Sequence, residues 1–198
     1  GDGYPGADDD ASGVAALLQV ARLLRARHPA RTIVFVAFSG EEIGDLGSAY
    51  FVKHPLGAPV DSIYVMLNMD MVGRLKQDRL LAMGAATAQE FPGLLDSLNR
   101  KEGARFDLHA SGDGWGPSDH ASFFAAKRPV LQFFTDLHED YHRTTDRWQK
   151  INALGLARVA TFVADVAWTL ANRPAPLTFV NAAPPQMAGG GSGYGAYL

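Results

Sequence analysis

The chain has 198 residues, 47% of them hydrophobic, which is enough to bury one sizeable core and makes a single domain the working assumption. Its net charge of −3 comes from intermixed Lys, Arg, Asp and Glu, which speaks against nucleic acids and other polyanions as partners. Cysteine is absent, so disulfides, cysteine nucleophiles and cysteine-held zinc are excluded while the compartment stays open.

Residues 12–28 place Val14, Leu17, Leu18, Ala21 and Leu24 on one face at helical spacing, with Asp10 or Ser12 as N-cap and Pro29 just past the end. Residues 32–38 form a short apolar run rich in β-branched and aromatic side chains, which predicts a strand covered on both faces. Residues 62–69 and 129–134 read the same way. Between them lie a predicted helix over 88–101, a strand over 106–109 and a glycine-rich loop over 111–117. A final helix, Ala153–Asn172, carries Leu154, Ala157, Ala160, Thr161, Ala164, Ala167 and Trp168 on one stripe. Strands alternating with helices predict an α/β fold in three layers, a mostly parallel mixed sheet between helices.

From Arg173 the composition shifts to Pro174, Pro176, Pro184 and Pro185, then Gly189-Gly190-Gly191-Ser192-Gly193, a linker signature. The expected division is a domain over 1–172 and a linker over 173–198 leading to a further domain. No apolar run approaches the roughly 20 residues that span a bilayer. The opening at Gly1, without Met or a signal-peptide pattern, suggests an excised or processed segment.

Four acid- or histidine-bearing segments fall where ligand sites occur in α/β sheets, at the carboxyl ends of strands or at a helix start. Glu41 and Glu42 follow the run over 32–38; two adjacent carboxylates at the mouth of a buried strand are costly unless a cation compensates them. Asp70 closes the second predicted strand, His142 follows the last, and Asp8-Asp9-Asp10 opens the first helix. Taken singly, each has an ordinary reading: helix capping for the aspartates, a loop for the glutamates, a turn for Asp70 and a solvated ring for His142. Taken together they offer carboxylate oxygens and imidazole nitrogen, the donors suited to zinc, cobalt or manganese.

Gly6-Ala7-Asp8-Asp9-Asp10-Ala11-Ser12-Gly13, Ser39-Gly40-Glu41-Glu42-Ile43-Gly44, Leu67-Asn68-Met69-Asp70-Met71-Val72-Gly73-Arg74, Ser118-Asp119-His120 and Asp140-Tyr141-His142-Arg143-Thr144-Thr145-Asp146 occur in this order. The five motifs, spanning about Pro5 to Asn172, resemble the co-catalytic dinuclear zinc aminopeptidases. The resemblance implies that Asp9 bridges two Zn2+ ions, that Glu42 and His142 complete one site, and that Asp70 belongs to the other. It implies Glu41 as general base toward a metal-activated water, and Tyr141 as a hydroxyl stabilising the tetrahedral intermediate or else as a packing aromatic. Asp119 and His120 are expected to line or support the pocket, with helix capping by Ser118 or Asp119 as the alternative. His28, His54, His109 and His138 match no motif and are expected to be surface or packing residues. Phe123, Phe124, Trp115 and Tyr141 are candidates for an apolar pocket or for core.

Relatives of this kind carry an upstream His-x-Asp segment whose histidine completes the Asp70 site. This chain opens past it, so one complete three-ligand site is expected, with a weakened second site and a sheet edge or groove left open. The glycine-aromatic end, Gly193 to Leu198, weakly resembles the opening of a PDZ-like domain. The implied substrates are peptides with a free N-terminus, and the implied location is extracytoplasmic. Two other readings stand beside this one: a glutaminyl cyclase-like transferase using one zinc, and a non-catalytic binding or scaffold member of the fold.

Overall fold

The computed structural model describes residues 3–101 and 105–181. The first helix, α1 (Ala11–Arg25), starts at Asp10, whose carboxylate accepts the Gly13 N–H at 3.1 Å. Arg22 and Arg25 occupy its last turn, where positive charge suits the helix dipole. Its buried face is Ser12, Gly13, Ala16, Val20 and Leu24; of the predicted face Leu24 is buried and Leu17 packs against the core, while Val14 and Leu18 are exposed. Small side chains explain the rotation, because α1 lies tight against the first strand. A Cβ on Gly13 would stand 2.3 Å from the Met69 carbonyl oxygen.

Four strands form the sheet: β1 (Met66–Met69), β2 (Arg79–Met83), β3 (Asp107–Ser111) and β4 (Val130–Phe134), in the order β1-β4-β2-β3. The pairs β1–β4 and β2–β3 are parallel, and β2 joins β4 antiparallel, so the sheet is mixed. Along β4 the side chains alternate between two cores. Leu131 and Phe133 enter the larger core with Leu80, Phe91, Leu95 and Phe162, fed by α1, α3 (Phe91–Arg100) and α5 (Ala153–Asn172). Val130 enters a smaller aromatic core with Phe123 and Phe124 of α4 (His120–Ala125), against Phe51 of α2 (Leu46–Lys53) and Phe38. Phe123 and Phe124 are therefore core, while Trp115 is half open and packs edge-on to Phe124. The three-layer α/β arrangement expected from the sequence is present.

Residues 32–38, predicted as a strand, are extended but unpaired among the described residues. A cavity of about 1260 Å³, lined by residues 31–38, α1 and α5, separates them from β1. An apolar run becomes a strand only when a neighbour takes up its N–H and C=O groups, and among the described residues none pairs with this one. Val34 and Phe35 are consequently exposed.

Helix α5 has the predicted bounds and buries Ala160, Ala164 and Ala167 from the predicted stripe, but Leu154 and Trp168 lie outside the buried face. It is long and apolar enough to cross a membrane, yet Val159, Phe162, Val163, Val166 and Leu170 are committed to the core. Residues 173–181, predicted as the start of a linker, run along the domain. Phe179 bridges Ala88, the Val180 N–H donates to the Thr87 carbonyl, and Thr178 donates to the Glu90 carboxylate. The glycine-rich part of the expected linker and its PDZ-like end lie outside the described residues.

Candidate metal centre

The three consecutive aspartates at the start of α1 have separate partners. Asp10 caps the helix and also accepts the Met71 N–H at 3.1 Å. Asp8 is buried; it accepts the Gly73 N–H at 2.6 Å and lies 3.0 Å from His138 Nε2. Asp9, turned away from both, has its side chain 14% exposed and its Oδ2 3.2 Å from His142 Nε2.

Glu41 and Glu42 sit on a tight turn into α2. The Gly44 and Asp45 N–H groups donate to the Glu41 carbonyl, and the Leu46 N–H to that of Gly40, whose φ of +71° suits glycine. This turn separates the two carboxylates. Glu42 Oε2 lies 3.1 Å from His142 Nε2, whereas Glu41 is outside that contact and half-buried. His142 follows β4 on a loop and holds a left-handed φ of +53°, a conformation that costs a non-glycine residue about 1–2 kcal/mol.

Asp9, Glu42 and His142 each present one donor atom, and the three lie within 4.8 Å of one another. Tetrahedral zinc with ligand bonds of roughly 2.0–2.2 Å sets its donors about 3.3 Å apart, close to the 3.1 and 3.2 Å contacts around His142 Nε2. Two carboxylates and one imidazole in such a group fit a zinc ion in both chemistry and spacing.

The electrostatics agree with that fit. Burial pushes the Asp9 carboxyl up to about 6; Asp70 and Glu42 push the same way, and His142 opposes them. Glu41 is pushed up to about 8, first by burial, then by Asp70, Asp45, Glu42 and Asp119. Tyr141 is driven up to about 12 by burial and by Asp9, Glu42, Asp70 and Glu41, and its ring stacks on His142 with centroids 3.8 Å apart. The crowding of acids is unfavourable by itself and becomes favourable beside a divalent cation.

Asp70 stands outside the group of three but faces it, since its charge acts on both Asp9 and Glu41. Ser118 Oγ donates to Asp70 Oδ2 at 2.8 Å and accepts from Asn68 Nδ2 at 2.8 Å, so the amide fixes the hydroxyl and the hydroxyl fixes the carboxylate. Ser118 thus supports Asp70 rather than capping α4, which has no side-chain cap. Asp119 has one buried oxygen without a partner, and its carboxyl is raised, first by burial. His120 is wholly buried under Gly116 and is pushed down to about 4 by burial, so it stays neutral in the physiological range.

Of the sequence-predicted residues, the fold brings Asp9, Glu42 and His142 into one group and sets Glu41, Asp70 and Tyr141 around it. His28, His54 and His109 are exposed, as expected. His138 falls on the packing side of the surface-or-packing reading, with its side chain 1% exposed, and it also holds Asp8, a role beyond packing. The roles of Ser118 and Asp8 are not visible in their motifs, because a polar residue beside an apolar strand end does not reveal what it bonds.

The model of peptidase family M28 matches residues 1–167. A probable zinc metalloprotease of Pyricularia oryzae is 32% identical over 217 residues, 86% of this chain and 43% of that protein. Aminopeptidase YwaD of Bacillus subtilis is 33% identical over 62% of this chain and 27% of its own length. Among solved structures, a zinc aminopeptidase from Bacillus subtilis superposes with a TM-score of 0.76 at 26% identity, over 87% of this chain and 44% of that one. The aminopeptidase of Aneurinibacillus sp. strain AM-1 gives 0.71 at 27% identity, over 91% and 43%. The chain thus spans less than half of each of these relatives.

Proposed function

Because this chain belongs to peptidase family M28, we propose that it carries the active site of a zinc-dependent aminopeptidase, which removes residues from the free N-terminus of peptides. The observation that carries this reading is the meeting of Asp9, Glu42 and His142, from three distant parts of the chain, beside a separate buried carboxyl, Glu41. The names of the similar proteins, zinc metalloproteases and aminopeptidases, point the same way.

Asp9, Glu42 and His142 would hold one zinc, and Asp70, fixed by Ser118, would contribute with Asp9 to a second. Bound zinc lowers the pKa of a water to about 7 and polarises a carbonyl oxygen. Glu41 is set apart from the three donors by its turn, so its carboxylate is free to take a proton from the attacking water and return it to the leaving amine. Burial, and then the neighbouring acids, hold its carboxyl above the usual carboxylate range, which favours its taking up a proton. The substrate ammonium would be recognised by carboxylates near the metals. Tyr141, stacked on His142, would donate its hydroxyl to the developing oxyanion.

Hydrolysis of amino-acid anilides with added zinc tests the reading. Glu41→Gln should lower kcat by roughly 10²–10⁴-fold, the usual range for a general base, with zinc content unchanged. Undiminished turnover in that variant would remove Glu41 from the mechanism.

A further inference from the structure

The loop that carries His142 is held from outside by Arg74, which is not among the three donors. Arg74, four residues beyond Asp70, is buried and reaches under the 140–146 loop. Its Nη2 donates to Asp140 Oδ2 at 3.1 Å and to Asp146 Oδ1 at 3.0 Å, one carboxylate on each side of His142. The side chains of this trio are 9%, 4% and 3% exposed. Asp146 uses its other oxygen on the start of α1, accepting the Asp8 N–H at 2.8 Å and the Asp9 N–H at 3.1 Å. Within the loop, the Arg143 N–H donates to the Asp140 carbonyl and the Asp146 N–H to that of Arg143. The backbone of Arg74 is itself fixed, its N–H donating to Thr135 Oγ1, at the end of β4. One guanidinium therefore ties together the loop that carries His142, the segment that carries Asp9 and the chain leaving Asp70.

We propose that Arg74 is a positioning residue of the metal centre: by holding Asp140 and Asp146 at once, it sets His142 against Asp9 and Glu42. The proposal rests on the zinc reading above for its functional meaning, but the clamp itself is a matter of geometry. His142 needs such a hold because its left-handed backbone is strained and its side chain is 39% exposed, with the adjacent Tyr141 ring stacked on it. Lys150 also pairs with Asp140, on its other oxygen, so removing Arg74 takes the guanidinium from buried Asp146 and leaves Asp140 held by Lys150 instead of tied to Asp146 across His142. The donor group should then open even if the sheet and its cores remain. Groups that orient metal ligands in this way typically control affinity by 10–100-fold.

The test is zinc affinity measured by competition with a chromophoric chelator, together with amide hydrogen exchange on the metal-free protein. Arg74→Met should weaken zinc binding by roughly 10–100-fold and speed exchange at the Asp8 and Asp9 amides. Arg74→Lys should recover part of both, since one ammonium can donate to two carboxylates. Leu95→Ala, in the main core and unconnected to the loop, should lower stability while leaving zinc affinity unchanged. Unaltered affinity in a folded Arg74→Met protein, or an equal loss in Leu95→Ala, would overturn the proposal. If Arg74→Met fails to fold, Asp140→Asn carries the test beside Lys150→Met, because Arg74 and Lys150 share Asp140; weaker zinc binding in Asp140→Asn with little change in Lys150→Met supports the clamp, and unchanged binding in Asp140→Asn or an equal loss in both refutes it. A wild-type protein that binds no zinc would refute the metal reading instead, and the clamp would then stand or fall on the exchange at Asp8 and Asp9.

Discussion

Asp8, Asp9 and Asp10 share one side chain and adjacent positions, so only their partners distinguish them. Asp10 is committed to capping α1, Asp8 to Gly73 and His138, and Asp9 alone faces His142. The assignment of Asp9 as the ligand came from resemblance, since helix-dipole and capping arguments apply to all three. The role of His138 was not legible at all. A lone histidine in a polar loop gives no sign of burial, and its partner is 130 residues away. His138 Nδ1 also accepts the Asp140 N–H at 3.2 Å, so the ring links the Asp8 segment to the His142 loop. His138→Ala should therefore lower stability by about 1–3 kcal/mol, the cost of leaving buried polar groups unpaired. Urea denaturation measures this, and a midpoint equal to wild type would show that the pair is replaced by water.

At the scale of elements, long periodic segments were legible and short or pairing-dependent ones were not. Helix α1 is legible from its spacing and cap and α5 from its apolar stripe, while α3 falls inside the helix expected over 88–101. β2 is Arg-Leu-Leu-Ala-Met, a composition that favours helix, and only pairing with β3 and β4 on its two sides makes it a strand. Residues 32–38 show the converse, a strand-like composition without a bonded neighbour. Helices α2 and α4, of eight and six residues, are too short to display a period. Contacts between elements also carry a pH signature. Asp165 on α5 binds Arg27, just past the end of α1, at 2.5 Å and Arg105 at 2.7 Å. Burial raises its carboxyl, but hydrogen bonds from Arg105 and Arg27 and the charges of both outweigh that and leave it lowered. A lowered carboxyl binds its proton less readily folded than unfolded. Its stabilisation is thus present above the unfolded value of about 3.9 and is lost as pH falls through the depressed folded value. Asp165→Asn should be less stable than wild type at pH 7, and the gap should close on acidification below about pH 4. Urea midpoints across that range check the sign; a gap that stays constant would mean that packing, not charge, is lost.

The candidate metal centre is a property of the whole molecule. Asp9 comes from the start of α1, Glu42 from the turn before α2, Asp70 from the end of β1 and His142 from the loop after β4; the fold must form before any two meet. The sequence made the candidate donors visible as acids and a histidine at predicted element ends, and the order of five motifs joined them. It could not reveal the supports, Arg74, Asp146, Ser118 and Asn68, because each acts through a partner far along the chain. Zinc anomalous diffraction on crystals grown with zinc tests the central claim most directly. The account predicts a peak roughly 2.0–2.2 Å from a carboxylate oxygen of Asp9, one of Glu42 and a ring nitrogen of His142. No peak at that group, or zinc held only elsewhere on the molecule, would contradict it.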